Sequence, residues 1–521
     1  MDFHAFIPLL FLAVAFGALF IGYSVAFTLA GTSLIFALVL SAFGLFEPRL
    51  LLALPSRIYN LFADDTLISI PLFVLMGTIL DRTSIASDLL ETMGRALGRI
   101  PGGVGIAVCL VGALLGAATG VIGATVVTMA LISLPTMLRH GYPPALACGL
   151  ICSAGALTQV IPPATVLILL GDQIGNAYAA AQRAIGNWAA SPVSVVDLYA
   201  GAMIPGLLLA VAYAAYVVAY AVLGKSRFKP EPGVDLSQRA SWREIWRAMV
   251  APLLLLVSVL GSIIFGIATP TEGAGIGVAG ALILAGMREG SGFQRPVAFG
   301  IAGIVVAITT VNLFDVRITR GHWPPAAIAA TAVTAGGVLA FAHAFFRAAW
   351  EIEKRGQLRS ALLQTVEITA MVYGILIGAS FFSLVFYGVN GDRLVADLFR
   401  QLPGGSLGAM LFAQVLIFVL GFPLENTEII SIAVPILAPS LLQTVDPIWF
   451  GVVTAVNLQT SYISPPVGFA LFYLRNVVPA SISTATIWRG ALPFLAIQLL
   501  VMLILILEPR LSTWLPSLLP R

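Results

Sequence analysis

Apolar runs long enough to cross a bilayer follow one another along almost the whole of this 521-residue chain. A hydrocarbon core of about 30 Å takes roughly 20 apolar residues in helical form. Lipid offers no partner to an open backbone N–H or C=O, so such runs must satisfy themselves as helices. The expected fold class is an all-α polytopic membrane protein. Charge agrees: only 10% of residues are charged and 59% are hydrophobic, whereas a water-facing domain carries about 25% charged residues. The first run, 6–45, is too long for a cleaved leader and lacks a basic segment before it. It reads as two retained spans broken near Gly22 and Tyr23.

Basic residues orient the chain. One stretch holds Lys225, Arg227, Lys229, Arg239, Arg243 and Arg247, and a second holds Arg347, Lys354, Arg355 and Arg359. Both are expected on the cytoplasmic side. Four spans fit between them, at about 250–268, 271–287, 297–315 and 325–346, and an even number returns the chain to the same side. The first stretch, with Pro230, Pro232, Gly233 and Trp242 to Trp246, reads as a connector with a surface-lying helix. Cys109, Cys148 and Cys152 sit inside apolar runs and read as small packing residues.

The two halves repeat one pattern. In the first, a break at Thr119, Gly120, Gly123 and Thr125 precedes an apolar run ending at Pro135. A second run then carries Gly155, Thr158 and Gln159 into Pro162-Pro163. In the second, a break at Glu425, Asn426, Thr427 and Glu428 precedes a run ending at Pro435. A run carrying Asn457, Gln459, Thr460 and Ser461 then meets Pro465-Pro466. Paired, interrupted hydrophobic segments point to the binding site of a repeat-built transporter.

The breaks suit a cation-coupled anion carrier. Each Pro-Pro removes two amide donors and frees the preceding carbonyls, which suit a hard cation such as Na+. Helices restarting beyond a break aim positive dipole ends at the same zone, which suits a carboxylate. One such break alone is equally a plain kink, with Ser or Thr serving neighbouring carbonyls; two in matching places favour a site. Glu425 and Glu428 fit capping as well as ion coordination. Glu272 reads as a cap between two spans. Glu367, inside an apolar run, reads as paired with a lysine or arginine near the membrane surface.

These motifs resemble the large membrane subunit of the tripartite ATP-independent periplasmic (TRAP) transporters. The resemblance rests on Pro71–Gly77, Ala118–Thr125, Ile161–Ala164, Thr269–Ala274 and Asn457–Gly468, and it spans nearly the whole chain. It implies an inverted-repeat, elevator-type carrier of the bacterial inner membrane with two helical hairpins and Pro-Pro-broken helices. It also implies Na+ as coupling ion, a small membrane subunit as partner, and a periplasmic binding protein that delivers a small organic acid. No cofactor, metal cluster or nucleic acid is implied.

The matching layout places scaffold helices at 1–100, a first transport repeat at 101–198, and scaffold with a cytoplasmic linker at 199–296. An additional helix pair follows at 297–346, then scaffold at 347–404, a second transport repeat at 405–486 and a C-terminal helix at 487–521. The sequence departs from the family pattern in two ways. Val121 and Ile122 stand where serines are common, leaving Thr119, Thr125 or backbone carbonyls for any ion contact. The pair at 297–346 and a polar insertion, Asp172–Pro192, lengthen the chain. The stretches 170–173 and 457–461 resemble the subgroup named for mannitol or chloroaromatic compounds, which also includes 2-oxo acid and lactate systems; that resemblance favours a monocarboxylate such as a 2-oxo or 2-hydroxy acid, with a C4-dicarboxylate as the other option.

Rival classes are less well served. A stand-alone carboxylate carrier shares the repeats and differs only in needing no binding protein. An integral-membrane enzyme needs clustered ionisable groups, but His4, His140, His322 and His343 are scattered, with no metal-ligand or nucleotide-binding pattern. A channel needs a continuous polar pathway with a filter, whereas paired repeats suggest alternating access.

Overall fold

A computed structural model describes residues 3–83, 85–98, 100–119, 122–223, 241–289, 294–314 and 325–519. These residues form helices and connections without a β-strand. Eight of the helices are long and apolar enough to cross a membrane, or nine if Pro48–Ala63 and Asp65–Arg82, bent by 51°, form one span. The opening run splits into helices Phe3–Leu19 and Val25–Ala42. Gly22, at φ +90°, makes the turn between them, a conformation that a side chain disfavours.

Two repeats form the centre. The first comprises α1 (Gly103–Thr119), α2 (Ile122–Arg139), α3 (Pro144–Ala156) and α4 (Thr165–Ala184). The second comprises α5 (Gly405–Leu420), α6 (Asn426–Leu441), α7 (Pro447–Tyr462) and α8 (Phe469–Arg475). In each, two helices make a hairpin and two more are separated by a Pro-Pro break.

The repeats run in opposite directions through the molecule. The helix Thr484–Leu507 serves as a ruler. Ala145, at the start of α3, meets Gly490 near its beginning. Trp449, at the start of α7, donates its indole N–H to the Leu505 carbonyl near its end (2.8 Å). The repeats are also crossed: α4 packs on α6, and α8 packs on α2. Each half therefore completes the other's core.

Two helices brace this centre. Asp65–Arg82 lies against α4, Gln357–Gly388 lies against α6, and the two touch each other, with the Thr78 and Thr365 hydroxyls 3.3 Å apart. Each leads through a short amphipathic helix, Ile85–Leu97 or Gly391–Gln401, into the hairpin that follows. Arg288 holds the first of these at Asp88 (2.7 Å).

The four spans expected between the basic stretches form helices Ala251–Ile264, Pro270–Glu289, Gln294–Leu313 and Pro325–Glu353. The last two pack backbone to backbone at Gly303 and Gly337. Glu272 caps as expected: Thr269 N–H donates to its carboxylate (2.8 Å), and its own N–H donates to the Thr269 hydroxyl (3.2 Å). The three cysteines are buried within helices.

Three expectations need correction or limits. The polar insertion from Asp172 is helical in its first part: α4 continues through it to Ala184, because Ala177 and Ala179–Ala181 are strong helix formers. Glu367 makes no ion pair among the described residues; it lies exposed on the outer face of its helix. The helix at Trp242 joins the next span through one π-helical turn, while 224–240, with Lys225, Arg227, Lys229 and Arg239, lies outside the described residues.

Candidate functional site where the two repeats meet

Hairpin α1–α2 is seated on the broken part of α3 by its glycines. A Cβ on Gly116 would lie 2.6 Å from the Thr158 Cα, and one on Gly112 would lie 2.9 Å from the Ala154 carbonyl. Gly155 returns the fit against the Val126 side chain (2.5 Å). Beyond Ala156 the helix tightens to a 3-10 turn, Leu157–Gln159, and stops before Pro162-Pro163, whose peptide bond is cis. These prolines offer no N–H to the carbonyls of Thr158 and Gln159. Helix α4 restarts at Thr165 without a side-chain cap.

The second repeat is built alike. Gly421, at the end of α5, closes on the Ser461 side chain. Asn457 donates to the Gln414 backbone carbonyl (2.6 Å) and side-chain oxygen (2.8 Å), and the Gln414 amide donates to Thr454 (2.9 Å). Thr460 and Ser461 donate back to the Val456 and Leu458 carbonyls (both 2.8 Å). Pro465-Pro466, again cis, ends the helix, and the Ser461 carbonyl accepts instead from the Ser464 N–H (3.2 Å).

The tips converge. Gly123 of hairpin α1–α2 abuts the ring of Tyr473 at 3.1 Å from its would-be Cβ. The Tyr473 hydroxyl donates to Glu425 (3.3 Å), and the Asn426 N–H donates to the Tyr462 hydroxyl (3.2 Å). Glu428 accepts the Glu425 N–H (2.9 Å), which makes it a cap of the α6 N-terminus.

Around these contacts lies a cavity of about 90 Å³. Ile122 and Gly123 at the start of α2, Thr165 and Val166 at the start of α4, and Asn426 and Thr427 at the start of α6 all line it. Three helix N-termini thus face one space, and each carries a partial positive charge. Gln159, Glu425, Tyr462 and Tyr473 complete the polar wall. Leu169 of α4 and Ile70, Val74, Ile368, Met371 and Val372 of the bracing helices add apolar lining.

Several polar atoms here have no partner although they are buried. They are Thr158 Oγ1, Gln159 Oε1, Asn457 Oδ1 and both side-chain ends of Asn426, which is 2% exposed. Leaving such a group unpaired costs about 1–3 kcal/mol, against a total stability of about 5–15 kcal/mol for a protein domain. Five of them gather around this one junction.

The sequence-derived candidates fall into groups. Gly123, Gln159, Glu425 and Asn426 line the cavity; Gly155, Thr158, Asn457, Thr460 and Ser461 lie in the buried layer behind it. Thr125 is buried in α2. Pro162, Pro163, Pro465 and Pro466 end α3 and α7 as expected. Gln459 lies elsewhere on α7, facing Tyr213 and Gln498 of the neighbouring helices. Gly120 lies outside the described residues, and of Thr119 only the backbone is described. Gln414, Tyr462 and Tyr473 were not among the candidates. Gln414 carried a signal, as an amide inside an otherwise apolar run; the two tyrosines, amphipathic by nature, did not.

Two inverted, hairpin-bearing repeats meeting at a polar cavity inside a bundle of membrane-spanning helices define a secondary-transporter architecture. The crystal structure of the Alcanivorax borkumensis YdaH transporter has the same general fold, with a TM-score of 0.55 at 14% identity over 98% of this chain and 99% of that one. The chain belongs to the family described as "Tripartite ATP-independent periplasmic transporter, DctM component", which matches residues 12–313 and 301–511.

Among curated relatives, the C4-dicarboxylate TRAP transporter large permease protein DctM of Pseudomonas aeruginosa is 28% identical over 475 residues, 91% of each chain. The 2,3-diketo-L-gulonate TRAP transporter large permease protein YiaN of Escherichia coli is 22% identical, covering 96% of this chain and 97% of its own. The sialic acid permease SiaM of Vibrio cholerae is 24% identical, with 96% of both covered. The protein is a multi-pass inner-membrane transporter subunit, and its family implies a small membrane subunit and a periplasmic binding protein.

Proposed function

We propose that this permease performs Na+-coupled uptake of a small organic acid handed over by a periplasmic binding protein. The observation that carries this reading is the cavity at which three helix N-termini and the unpartnered Asn426 amide meet. A carboxylate is the ligand such a site suits, because amide donors and aligned dipoles favour negative charge. The relatives named for C4-dicarboxylate, 2,3-diketo-L-gulonate and sialic acid agree in ligand chemistry.

The cation would sit in the layer behind. Thr158 Oγ1 and Gln159 Oε1 in the first repeat, and Asn457 Oδ1 in the second, are buried oxygens without a donor. Neutral oxygens of this kind suit a hard monovalent ion, and the carbonyls freed by the prolines add to them. A bound Na+ would draw each hairpin onto its broken helix and offset the charge of Glu425 and the substrate. The two repeats would then move as one body against the bracing helices Asp65–Arg82 and Gln357–Gly388, which meet the cavity only through apolar side chains.

The test is uptake into proteoliposomes containing the chain and its small subunit, with and without a Na+ gradient and the cognate binding protein. Uptake requiring both is expected. Uptake of free substrate without the binding protein would replace this reading with a stand-alone carrier, and drive by protons would overturn the ion assignment.

A further inference from the structure

We infer that the cavity selects monocarboxylates and rejects dicarboxylates, and that Ile368, Met371 and Val372 set this choice. The inference rests on the carboxylate reading above and narrows it to one substrate class. The lining has two unlike contributors, the repeats and the bracing helices. In the first, helix N-termini and the unpartnered Asn426 amide are placed to hold a carboxylate. In the second stand Ile70 and Val74 of one bracing helix and Ile368, Met371 and Val372 of the next.

Among the described residues, no lysine, arginine or histidine lines the space. In sequence, residues 117–121 are Ala, Ala, Thr, Gly and Val, none of them cationic. The one ionisable carboxyl in the lining, Glu425, opposes a second anion. A dicarboxylate bound at the helix N-termini would press its second carboxylate against aliphatic side chains, where no counter-ion stands among the described residues. An acid with a short aliphatic, 2-oxo or 2-hydroxy tail would bury that tail against the same wall and gain from it. The small volume of the cavity works in the same direction.

Identity of 22–28% to the relatives leaves room for such a difference. Apolar pockets alone discriminate weakly between similar tails, but a charge placed against an apolar wall is rejected strongly. Discrimination is therefore expected between charge classes, with broad tolerance among monocarboxylates of similar length.

The experiment is a thermal-stability titration of the purified chain with its small subunit in Na+ buffer. It compares C3 to C6 2-oxo and 2-hydroxy monocarboxylates with succinate, fumarate and malate. Stabilisation by monocarboxylates at concentrations at least tenfold lower than any dicarboxylate is expected. Equal or better stabilisation by a dicarboxylate overturns the inference and leaves the carboxylate reading standing. Stabilisation by neither class, with the response to Na+ intact, removes the carboxylate reading and the inference with it. Met371→Arg, placing a cation among the apolar side chains of the bracing helices, is expected to narrow the gap in favour of dicarboxylates, while Met371→Leu preserves it. Should the arginine variant fail to elute as a single species, the wild-type titration decides alone.

Discussion

Asn426 and Asn457 are both buried amides near the junction of the repeats, yet they carry different loads. Asn457 ties α7 to Gln414 by two hydrogen bonds, whereas Asn426 uses neither end of its side chain. Asn426→Ala strands no partner, so stability is expected to change by less than about 1 kcal/mol. Uptake should fall at least tenfold. Asn457→Ala leaves the Gln414 side-chain oxygen without its donor in the core and is expected to cost about 1–3 kcal/mol, together with a weaker Na+ response. Thermal unfolding and Na+-dependent uptake on the same preparations check both. A stability loss for Asn426→Ala equal to that of Asn457→Ala would place Asn426 in the packing instead.

At the scale of elements, the hairpins depend on glycines that bring backbone against backbone. Gly116→Val would drive a side chain into the Thr158 backbone, and overpacking of this kind costs about 1–3 kcal/mol. Loss of transport and a lower melting temperature are expected together. Gly31, with open space around its Cβ position within a helix, is the control. Gly31→Ala should stabilise by up to about 1 kcal/mol, the difference in helix propensity, and leave uptake unchanged.

Elements were the most legible part of the sequence. Proline pairs mark chain breaks wherever they fall in an apolar run, so the ends of α3 and α7 could be read at once. The continuation of α4 beyond Asp172 was hidden because the stretch is polar and read only as an insertion, although alanines keep the helix going. Which face of α7 each polar residue occupies was not legible. Asn457 and Gln459 stand two apart, and only the packing of neighbours sends one to Gln414 and the other to Tyr213. Tyr473 reaches the cavity from beyond the break, and Tyr462 from the last turn before it, across distances that spacing in sequence does not encode.

For the whole molecule, opposite entry of the two repeats is the feature most open to direct test. Arg139 precedes the connection from α2 to α3, and Gln443 lies between α6 and α7. With α3 and α7 starting at opposite ends of Thr484–Leu507, these two positions belong to opposite faces of the membrane. Arg139→Cys should react with an impermeant thiol reagent only from the cytoplasm, and Gln443→Cys only from the periplasm. The three native cysteines are fully buried and should stay silent. Labelling of both positions from one side would contradict the inverted arrangement.

The crossing of α4 onto α6 and of α8 onto α2 also constrains how the chain is made. The second helix of the first hairpin, α2, finds its packing partner α8 only after some 330 further residues have been synthesised. Until then the polar junction of the first repeat waits in the bilayer without the surface that will cover it. Assembly of the centre is therefore a late event, gated by the last hairpin to insert. A truncated product ending before α8 would present the quality-control proteases of the membrane with an open clasp.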